Sequence, residues 1–452
     1  MKDASKIGLA IGILSGVLVL TFFISNGNFD VIKSNNNTAA VVLSTNTDSK
    51  LIYGKFDSTD KKNLLNVSTS TKKFFGDYVS SKIITKAQTP TSNIDTKSIS
   101  TLKVCSDTWT QKTDYGAGIA SAVESAVGFS IGTKGYVGTG SDAGNNAHAD
   151  FWEYDPALNI WTQKADYGGG KRSRAVGFSM NGKGYIGTGM TDSILPSSDF
   201  WEYDPSLNTW TRKADIPGNS IYPAWRHSAF GFVLGNYGYI GGGTVYPFTT
   251  GNGYTYFKDF YQYDPLSLTN GLDTNGNPKG AWISKADFLP RAEASSFSIG
   301  TKGYVGTGYD SSAVYKDFWE YDPSLNHWTQ KANLTGSTRT AAVGFSIGQL
   351  GFISTGVDTS TSTPVYKKDL WEYNPATNHW TQRANYDTAI VGGGYGRSNS
   401  VGLSIGNYGY IVGGVLTGGI AYQDTMFSYC PYNNLLNTTK PIPTVGNGGI
   451  IQ

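Results

Sequence analysis

The 452-residue sequence predicts an all-β protein, a six-bladed β-propeller that follows an N-terminal transmembrane helix and a flexible stalk. Three observations support this prediction. A segment of about 50 residues recurs through most of the chain, which is typical of propellers. The composition of 57 Gly, 29 Tyr and 11 Trp with 15% charged residues is poor for helices and suits short strands joined by glycine turns. An apolar run stands near the N-terminus.

The apolar run, residues 7–25, contains no charged residue and follows Lys2 and Lys6. It is close to the ~20 residues that a helix needs to cross a bilayer. The preceding lysines favour a cytoplasmic N-terminus, with the rest of the chain outside the cytoplasm. We therefore predict a membrane anchor over residues 1–25 and a membrane-anchored protein. The alternative is a signal peptide that is cleaved, which leaves a secreted protein.

Residues 26–103 are rich in Ser, Thr and Asn, contain no Trp, and hold 11 Lys against 6 Asp. No periodic apolar face runs through them, so we predict a flexible stalk. The repeats that follow are slightly acidic overall. That charge gives no general attraction to nucleic acid, and we expect none to bind.

The repeat is most easily seen in a segment of two strands joined by a tight turn. GFSIGTKGYVGTG occupies residues 128–140 and recurs at 177–189, 231–243, 296–308, 344–356 and 402–414. A third strand follows each copy, as in DFWEYDP at 150–156, and a fourth begins at a Trp. These tryptophans are Trp109, Trp161, Trp210, Trp282, Trp328 and Trp380. Six units of four strands predict six blades over residues 104–434, with a flexible tail at 435–452.

The pattern resembles the kelch-repeat superfamily, which includes galactose oxidase. The likeness rests on the small-residue pair after strand two, the Tyr in strand three and the Trp in strand four. It implies a kelch propeller but no single function, because such propellers serve as enzymes, adhesins and scaffolds.

The ends of the repeat array predict how the ring closes. Trp109 opens a fourth strand that has no first three strands before it, and the last unit lacks a fourth strand. The 104–112 strand would therefore complete the sixth blade. Aligned on an intact blade, Cys105 and Cys430 fall two positions apart in one turn, within disulfide range. We predict that they form a disulfide; the alternative is two buried free thiols.

A ligand site is predicted on the face that carries the four-to-one and two-to-three loops, because these loops vary in length and content. Six residues before the Phe or Leu of the first strand, blades two to six hold an arginine, while blade one holds Val123. These arginines are Arg172, Arg226, Arg291, Arg339 and Arg397. Lys171, Arg174, Tyr222, Trp225 and Tyr395 stand nearby. Sixfold geometry would place the five guanidinium groups around the mouth of the central channel.

Arginine suits the bidentate capture of carboxylates. In the kelch family, arginines at this place often contact acidic peptides or sugar acids, which the resemblance implies here. The alternative is structural pairing with Asp166, Asp215 or Asp287 that orders the loops.

The favoured function is a surface binding or adhesion module for a glycan or an acidic protein segment. One alternative is an enzyme that resembles the exported sialic acid mutarotases, with Glu124 or Glu293 as acid or base. Another is an architectural part of an extracellular layer. We predict no catalytic residue, metal or cofactor otherwise, since the four His residues do not converge as galactose oxidase chemistry requires. Asp273–Asn277 starts like a calcium loop, but Pro278 stands where the loop needs Gly.

Overall fold

The structure is a computed structural model of the 452-residue chain. It describes residues 8–14, 17–23, 29–32, 38–44, 49–55, 107–118, 122–193, 195–218, 224–246, 253–386, 395–416 and 422–431. The chain divides into two compact units, Met1–Val104 and Cys105–Gln452.

The first unit contains five strands in the residues described. Gly8–Leu14 pairs antiparallel with Val17–Phe23, and Thr38–Ser44 pairs with both Phe29–Ile32 and Ser49–Lys55. The predicted transmembrane helix is therefore not shown. The run contains four Ile, two Val and two Phe, which favour strands as well as membranes.

Within the part of the chain that the structure describes, no helix has both the length and the hydropathy needed to span a bilayer. Most of the predicted stalk, residues 56–103, lies outside the described residues, as does the predicted tail at 435–452.

The second unit is an all-β, six-bladed propeller, as the repeats predict. Each blade is an antiparallel sheet of four strands in the spatial order one-two-three-four. Blade 1 is Val127–Ile131, Lys134–Gly138, Phe151–Asp155 and Ile160–Gln163; blade 2 is Val176–Met180, Lys183–Gly187, Phe200–Asp204 and Thr209–Arg212; blade 3 is Phe230–Leu234, Tyr237–Gly241, Phe260–Asp264 and Ala281–Ser284. Blade 4 is Ser295–Ile299, Lys302–Gly306, Phe318–Asp322 and His327–Gln330; blade 5 is Val343–Ile347, Leu350–Ser354, Leu370–Asn374 and His379–Arg383.

Blade 6 combines the two ends of the repeat array. Its strands are Val401–Ile405, Tyr408–Val412, Met426–Cys430 and Thr108–Lys112, and Tyr429 lies opposite Trp109. A 3-10 turn, Tyr115–Gly118, then leads towards blade 1. This arrangement pairs the outer edge of blade 6 and leaves no gap in the ring.

The repeated letters explain the local structure. In the turn between strands three and four of blade 2, Asp204 accepts a hydrogen bond from the Ser206 amide (2.9 Å), and Asn208 accepts one from the Tyr203 hydroxyl (2.8 Å). Asn208 adopts a φ of 54°, which Asn tolerates better than most residues. Near the axis, a Cβ on Gly177 of blade 2 would overlap the side chain of Val127 in blade 1. Glycine is required there so that the blades can approach.

Aromatic side chains fill the wider space between blades. Phe151 of blade 1 contacts Tyr203 and Trp210 of blade 2, with ring centroids 4.9 and 5.0 Å apart. The indole Nε1 of Trp210 donates to the carbonyl of Ala165 (3.1 Å) in the preceding loop. The same donation recurs at the other five strand-four tryptophans. Apolar contact and this indole hydrogen bond thus help to fasten each blade to its neighbour.

The face with the four-to-one and two-to-three loops, the loop face, carries additional short strand pairs. These are Arg172–Ser173 with Met190–Thr191, Thr244–Val245 with Thr255–Tyr256, Val357–Asp358 with Val365–Tyr366, and Arg397–Ser398 with Val415–Leu416. In each blade, backbone bridges join the residues before strand one to those after strand two. The loop face is therefore a hydrogen-bonded layer above the blades.

Candidate functional site

The five arginines predicted to line the channel mouth lie inside the loop face and are buried. Each side chain is at most 2% exposed, and they are among the largest fully buried side chains described. Their guanidinium groups point into their own blades. Burial of five cations demands partners, because an unpaired charge in such a site is very costly.

Arg172 shows the arrangement of four of these arginines. Its Nη1 donates to the Thr188 carbonyl and to Asp199 Oδ1, both at 2.6 Å, and its Nη2 donates to Asp199 Oδ2 at 3.0 Å. Asp199 directly precedes strand three and also accepts a hydrogen bond from the indole of Trp201 (2.9 Å). The pattern recurs as Arg226 with Asp259, Arg291 with Asp317 and Arg339 with Asp369. Each of these arginines lies in the segment before strand one. Its hydrogen bonds connect that segment to the end of strand two and to the start of strand three.

The electrostatics follow from this pairing. Burial would raise the pKa of Asp199, but the hydrogen bonds and charge of Arg172 outweigh it and hold that pKa below its usual range. Asp369 behaves in the same way beside Arg339. The carboxylates stay ionised, and the pairs are bidentate and charge-assisted.

The structural alternative named the wrong partners. Asp215 pairs with Arg212 (2.8 Å) and Asp287 with Lys258 (3.0 Å), both at the surface. The aspartates that pair with four of the five arginines are not those nearest in sequence, because the sheet brings in aspartates 26 to 33 residues away. A direct ligand role for the five arginines stays a prediction, and their burial and bidentate pairing favour the structural alternative.

Blade 6 departs from the pattern. Arg397 donates to the Gly413 carbonyl (2.8 Å), to Thr425 Oγ1 (3.1 Å) and to the Tyr386 hydroxyl, and it lies over the Tyr386 ring. Burial lowers the pKa of Arg397, and the nearby Tyr386 and Asp424 offset only part of that effect.

Blade 1 has no arginine, yet it keeps the aspartate. Asp150 accepts from the Trp152 indole (2.7 Å), the Tyr115 hydroxyl lies 3.5 Å away, and His148 Nδ1 lies 3.6 Å away. Burial, followed by the charge of Asp150, raises the pKa of Tyr115 well above its usual value. Val123 stands at the arginine position of this blade, and the contacts of Asp150 are with Trp152, Tyr115 and His148.

Two residues after each arginine position, the chain forms a closed ring around the propeller axis. We call these six residues the channel ring: Ser125, Arg174, Ser228, Glu293, Ala341 and Asn399. Each backbone amide donates to the carbonyl of the ring residue in the preceding blade, at 2.9–3.2 Å, and the amide of Ser125 closes the circle on Asn399. All six adopt a φ between 52° and 56°. Left-handed conformations cost non-glycine residues energy, so their recurrence at one place marks a constrained site.

The channel ring surrounds a cavity of about 150 Å³. All six ring residues line it, and so do small residues that follow them, such as Ala126, Ala175 and Ser400. The ring side chains carry a guanidinium, a carboxylate, an amide and two hydroxyls. The mouth of the channel is therefore polar, of mixed charge, and rich in hydrogen-bonding groups.

Two glutamates belong to this mouth. Asn399 Nδ2 donates to Glu124 Oε2 (3.0 Å), and the Thr340 hydroxyl donates to Glu293 Oε2 (2.8 Å). Burial raises the pKa of Glu124; the charge of Arg174 and the Asn399 amide act against this, and Glu293 adds to it. Arg174 is exposed, and its charge acts on both Glu124 and His227.

His227 lies beside the ring but is 5% exposed. Burial, with the positive charge of Arg174, lowers its pKa to about 4. Its Nδ1 lies 3.1 Å from the Ser228 hydroxyl. It is therefore a neutral hydrogen-bonding group at physiological pH.

The predicted aromatic neighbours are placed differently. Trp225 and Tyr395 are 45% and 63% exposed on the loop face, and Tyr222 lies outside the described residues. Lys171 is exposed and pairs with Asp192 (3.3 Å). Of the cations near the mouth, Arg174 is the one on the channel ring itself.

The segment of blade 3 that starts like a calcium loop, residues 273–277, binds the side chain of Lys213. Lys213 Nζ lies 2.6 Å from Asp273 Oδ2, and both side chains are buried. Asp273 also accepts from the amides of Asn275 and Asn277. Among the described residues, no group of three or more His, Cys, Asp or Glu is arranged to hold a metal ion.

Sequence reasoning missed the channel ring because its residue types differ from blade to blade. A repeat alignment draws attention to letters that recur, such as the arginine. The available signal was the fixed spacing, two residues after the arginine position and two residues before strand one begins.

Comparison with solved structures finds 351 similar chains. One, described as "Structure of YjhT", aligns with a TM-score of 0.54 and 17% sequence identity over 67% of this chain and 94% of that chain. At that identity the likeness shows the fold alone. No protein-family model matches the sequence, and no curated protein matches it. The kelch character of the repeats therefore stays a resemblance.

Proposed function

We propose that the propeller is a binding module that takes the acidic group of a glycan at the mouth of its channel. The observation that carries the proposal is Arg174, an exposed guanidinium on the channel ring above a cavity lined by hydroxyl, amide and carboxylate groups. Arginine binds a carboxylate through two parallel hydrogen bonds. The surrounding donors and acceptors suit the hydroxyl groups of a sugar.

The five buried arginines support this site indirectly. Their hydrogen bonds fix the segment that leads into strand one. The channel-ring residue of each blade lies in this segment, two residues after the arginine. A binding group is more effective when its backbone is fixed beforehand, because less conformational freedom is lost on binding. The loops are thus held in place by buried ion pairs, and a separate set of residues faces the ligand.

The test compares two arginine variants for binding of glucuronic acid and N-acetylneuraminic acid, measured by titration calorimetry or ligand-observed NMR. Arg174→Gln should weaken binding about tenfold to a hundredfold, since a charge-assisted hydrogen bond contributes roughly 1.5–3 kcal/mol. Arg212→Gln is the matched control, because Arg212 is exposed and pairs with Asp215 away from the mouth. Neutral glucose and N-acetylglucosamine should bind weakly to all forms. Equal binding by both variants would exclude Arg174 as the anion site.

A second candidate, mutarotation of a sugar acid, is favoured by one observation. Glu124 is buried beside Arg174 with its pKa raised, as expected of an acid or base that works near neutral pH. Mutarotation requires a base to take the proton of the anomeric hydroxyl and an acid to protonate the ring oxygen, with the reverse on closure. Glu124→Gln should abolish anomeric exchange, followed by NMR, while binding persists. Binding without accelerated exchange in the parent protein supports the module alone.

We further propose that the propeller lies outside the cytoplasm. The apolar run over residues 7–25 would hold the propeller outside the cytoplasm, or direct its secretion if it is cleaved. The measurement is whether the full chain stays in the membrane pellet after alkaline extraction while a chain from residue 26 does not. Release of the full chain, with its N-terminus intact, would contradict an anchor.

A further inference from the structure

The two-to-three loop of blade 3 carries a row of tyrosines on the loop face. Thr244–Val245 pairs with Thr255–Tyr256, and just beyond this pairing, towards the loop end of the hairpin, the rings of Tyr246 and Tyr254 meet with centroids 5.3 Å apart. Their side chains are 49% and 55% exposed. The two rings together form an exposed aromatic patch, and contiguous exposed patches of this kind often mark ligand-binding surfaces.

Strand geometry places a third tyrosine beside them. Residues opposite each other in an antiparallel pair share a face, and so do alternate residues along a strand. Tyr246, Tyr254 and Tyr256 therefore lie on one face of the hairpin. Tyr256 in turn contacts Tyr309 of blade 4, with centroids 5.6 Å apart. We call these four residues the tyrosine strip.

The inner end of the tyrosine strip meets the channel ring. Tyr309 forms a backbone bridge with Ala292, the residue before Glu293. Burial raises the pKa of Tyr309, and the charge of Glu293 adds to this effect. The strip therefore runs outward from the polar mouth of the channel.

We propose that the tyrosine strip is a carbohydrate subsite that binds the sugar units following an acidic terminal sugar held at the channel ring. The inference rests on the proposed function and extends it from a single sugar to an oligosaccharide. One face of a pyranose carries mainly C–H groups and packs on an aromatic ring, while its hydroxyls bond to water or to tyrosine hydroxyls. Tyrosine offers a large, rigid contact area at a low entropic cost.

The spacing fits such a ligand. Tyr254 and Tyr256 are two residues apart on one strand, so their Cα atoms are roughly 7 Å apart. The ring centroids of Tyr256 and Tyr309 are 5.6 Å apart, so the strip presents aromatic side chains at intervals comparable to one sugar unit.

The charges favour neutral sugars over an acidic peptide along the strip. Asp310 follows Tyr309 and accepts from the Tyr315 hydroxyl (2.9 Å). Burial raises the pKa of Tyr256, and Asp310, Tyr254 and Glu293 contribute to this increase. Negative charge thus surrounds the inner strip, and Arg174 supplies positive charge at the ring. An acidic chain would meet repulsion beyond its first residue, whereas a neutral chain ending in one acidic sugar would not.

The experiment compares each acidic sugar with the same sugar joined to neutral units, using the full-length chain and titration calorimetry. The probes are N-acetylneuraminic acid with sialyllactose, and glucuronic acid with its conjugate to xylobiose. At least one longer probe should bind about tenfold more tightly than its monosaccharide. In Tyr246→Ala/Tyr254→Ala this advantage should disappear, with affinity for the monosaccharide unchanged.

Tyr237→Ala is the matched control. Tyr237 belongs to the same blade and is 40% exposed, but it begins strand two, next to the one-to-two turn on the opposite face. Thermal melting of each variant checks that the fold is retained.

The outcomes separate the two proposals. If the monosaccharides bind through Arg174 and neither longer probe gains affinity, the tyrosine strip is no subsite and the proposed function stands. If lactose or xylobiose binds through the strip but no acidic sugar depends on Arg174, the strip is a carbohydrate site and the proposed function fails. If an acidic or proline-rich peptide binds through the strip and no sugar does, or if nothing binds, the carbohydrate subsite is excluded.

Discussion

Arg339 shows what a single residue does in this ring. Its side chain is fully buried and joins Thr355 at the end of strand two to Asp369 at the start of strand three. Removing one partner of a buried ion pair leaves the other charge uncompensated, which typically costs about 3–5 kcal/mol. We expect Arg339→Gln to lower the free energy of unfolding by about this amount, measured by urea denaturation.

The control for this prediction is again Arg212→Gln. That arginine pairs with Asp215 at the surface, where such pairs contribute at most about 1 kcal/mol. Asp369→Asn in the Arg339→Gln background should restore part of the loss, since it removes the stranded charge. Equal effects of the two arginine variants would show that the buried pair is not a main support of the blade.

The same pairs predict how stability depends on pH. The folded pKa values of Asp199 and Asp369 lie below the ordinary value of about 3.9, so folding holds these carboxylates ionised. Their contribution to the free energy of unfolding is complete above pH ~4. It is lost as the pH falls through the lowered pKa values of the folded state. Asp204, beside Lys183, adds to the effect with a pKa of about 2.

We expect the urea midpoint to fall between about pH 4 and pH 2 and to change little from these groups above that window. Asp369→Asn should flatten this part of the profile while lowering stability at neutral pH. A midpoint that is constant down to pH 2 would show that the buried pairs are not linked to folding.

At the scale of the structural element, the channel ring stores strain in the backbone. Ala341 has a φ of 52°, where a residue with a Cβ is disfavoured by roughly 1–2 kcal/mol. A glycine at this position would remove the strain energy. The unfolded chain with glycine has a larger conformational entropy, which offsets about 0.4–1 kcal/mol of the stabilisation. Ala341→Gly should therefore leave stability unchanged or raise it by up to about 1.6 kcal/mol in thermal or urea unfolding.

Ala342→Gly is the neighbouring control. Ala342 is outside the left-handed region and packs against the hydrophobic cluster of Phe297 and Trp380. Glycine there loses packing and gains no relief, so stability should fall by about 1 kcal/mol. If both variants are equally destabilised, the positive φ of the ring is not a source of strain.

The elements also show which features the sequence could predict. Four strands per unit follow from the alternation of side chains and from the turn residues Asp204 and Asn208, whose effects are local. The partner of Arg172 did not follow, because Asp199 reaches it only when strand three lies beside strand two. The tyrosine strip was hidden for the same reason. Tyr246, Tyr256 and Tyr309 meet across two blades and share no repeat position.

For the whole molecule, closure depends on how strongly the two ends of the array are joined. Cys430 is the last residue of its strand and lies opposite Thr108. Cys105 precedes Thr108 by three residues and lies outside the described residues. We predict the Cys105–Cys430 disulfide from this register. A cross-link that closes so long a segment removes much of the entropy of the unfolded chain, typically 2–4 kcal/mol in effect.

The measurement is peptide mapping without reductant, which should yield one linked peptide containing both cysteines. Cys105→Ser, Cys430→Ser and the double variant should lose similar stability, roughly 2–5 kcal/mol, because each removes the same bond. Reductant should lower the melting temperature of the parent protein and leave the double variant unaffected. Two reactive thiols per chain in denatured, unreduced protein would instead mean that the sixth sheet is held by the pairing of Thr108–Lys112 and the burial of Trp109 alone.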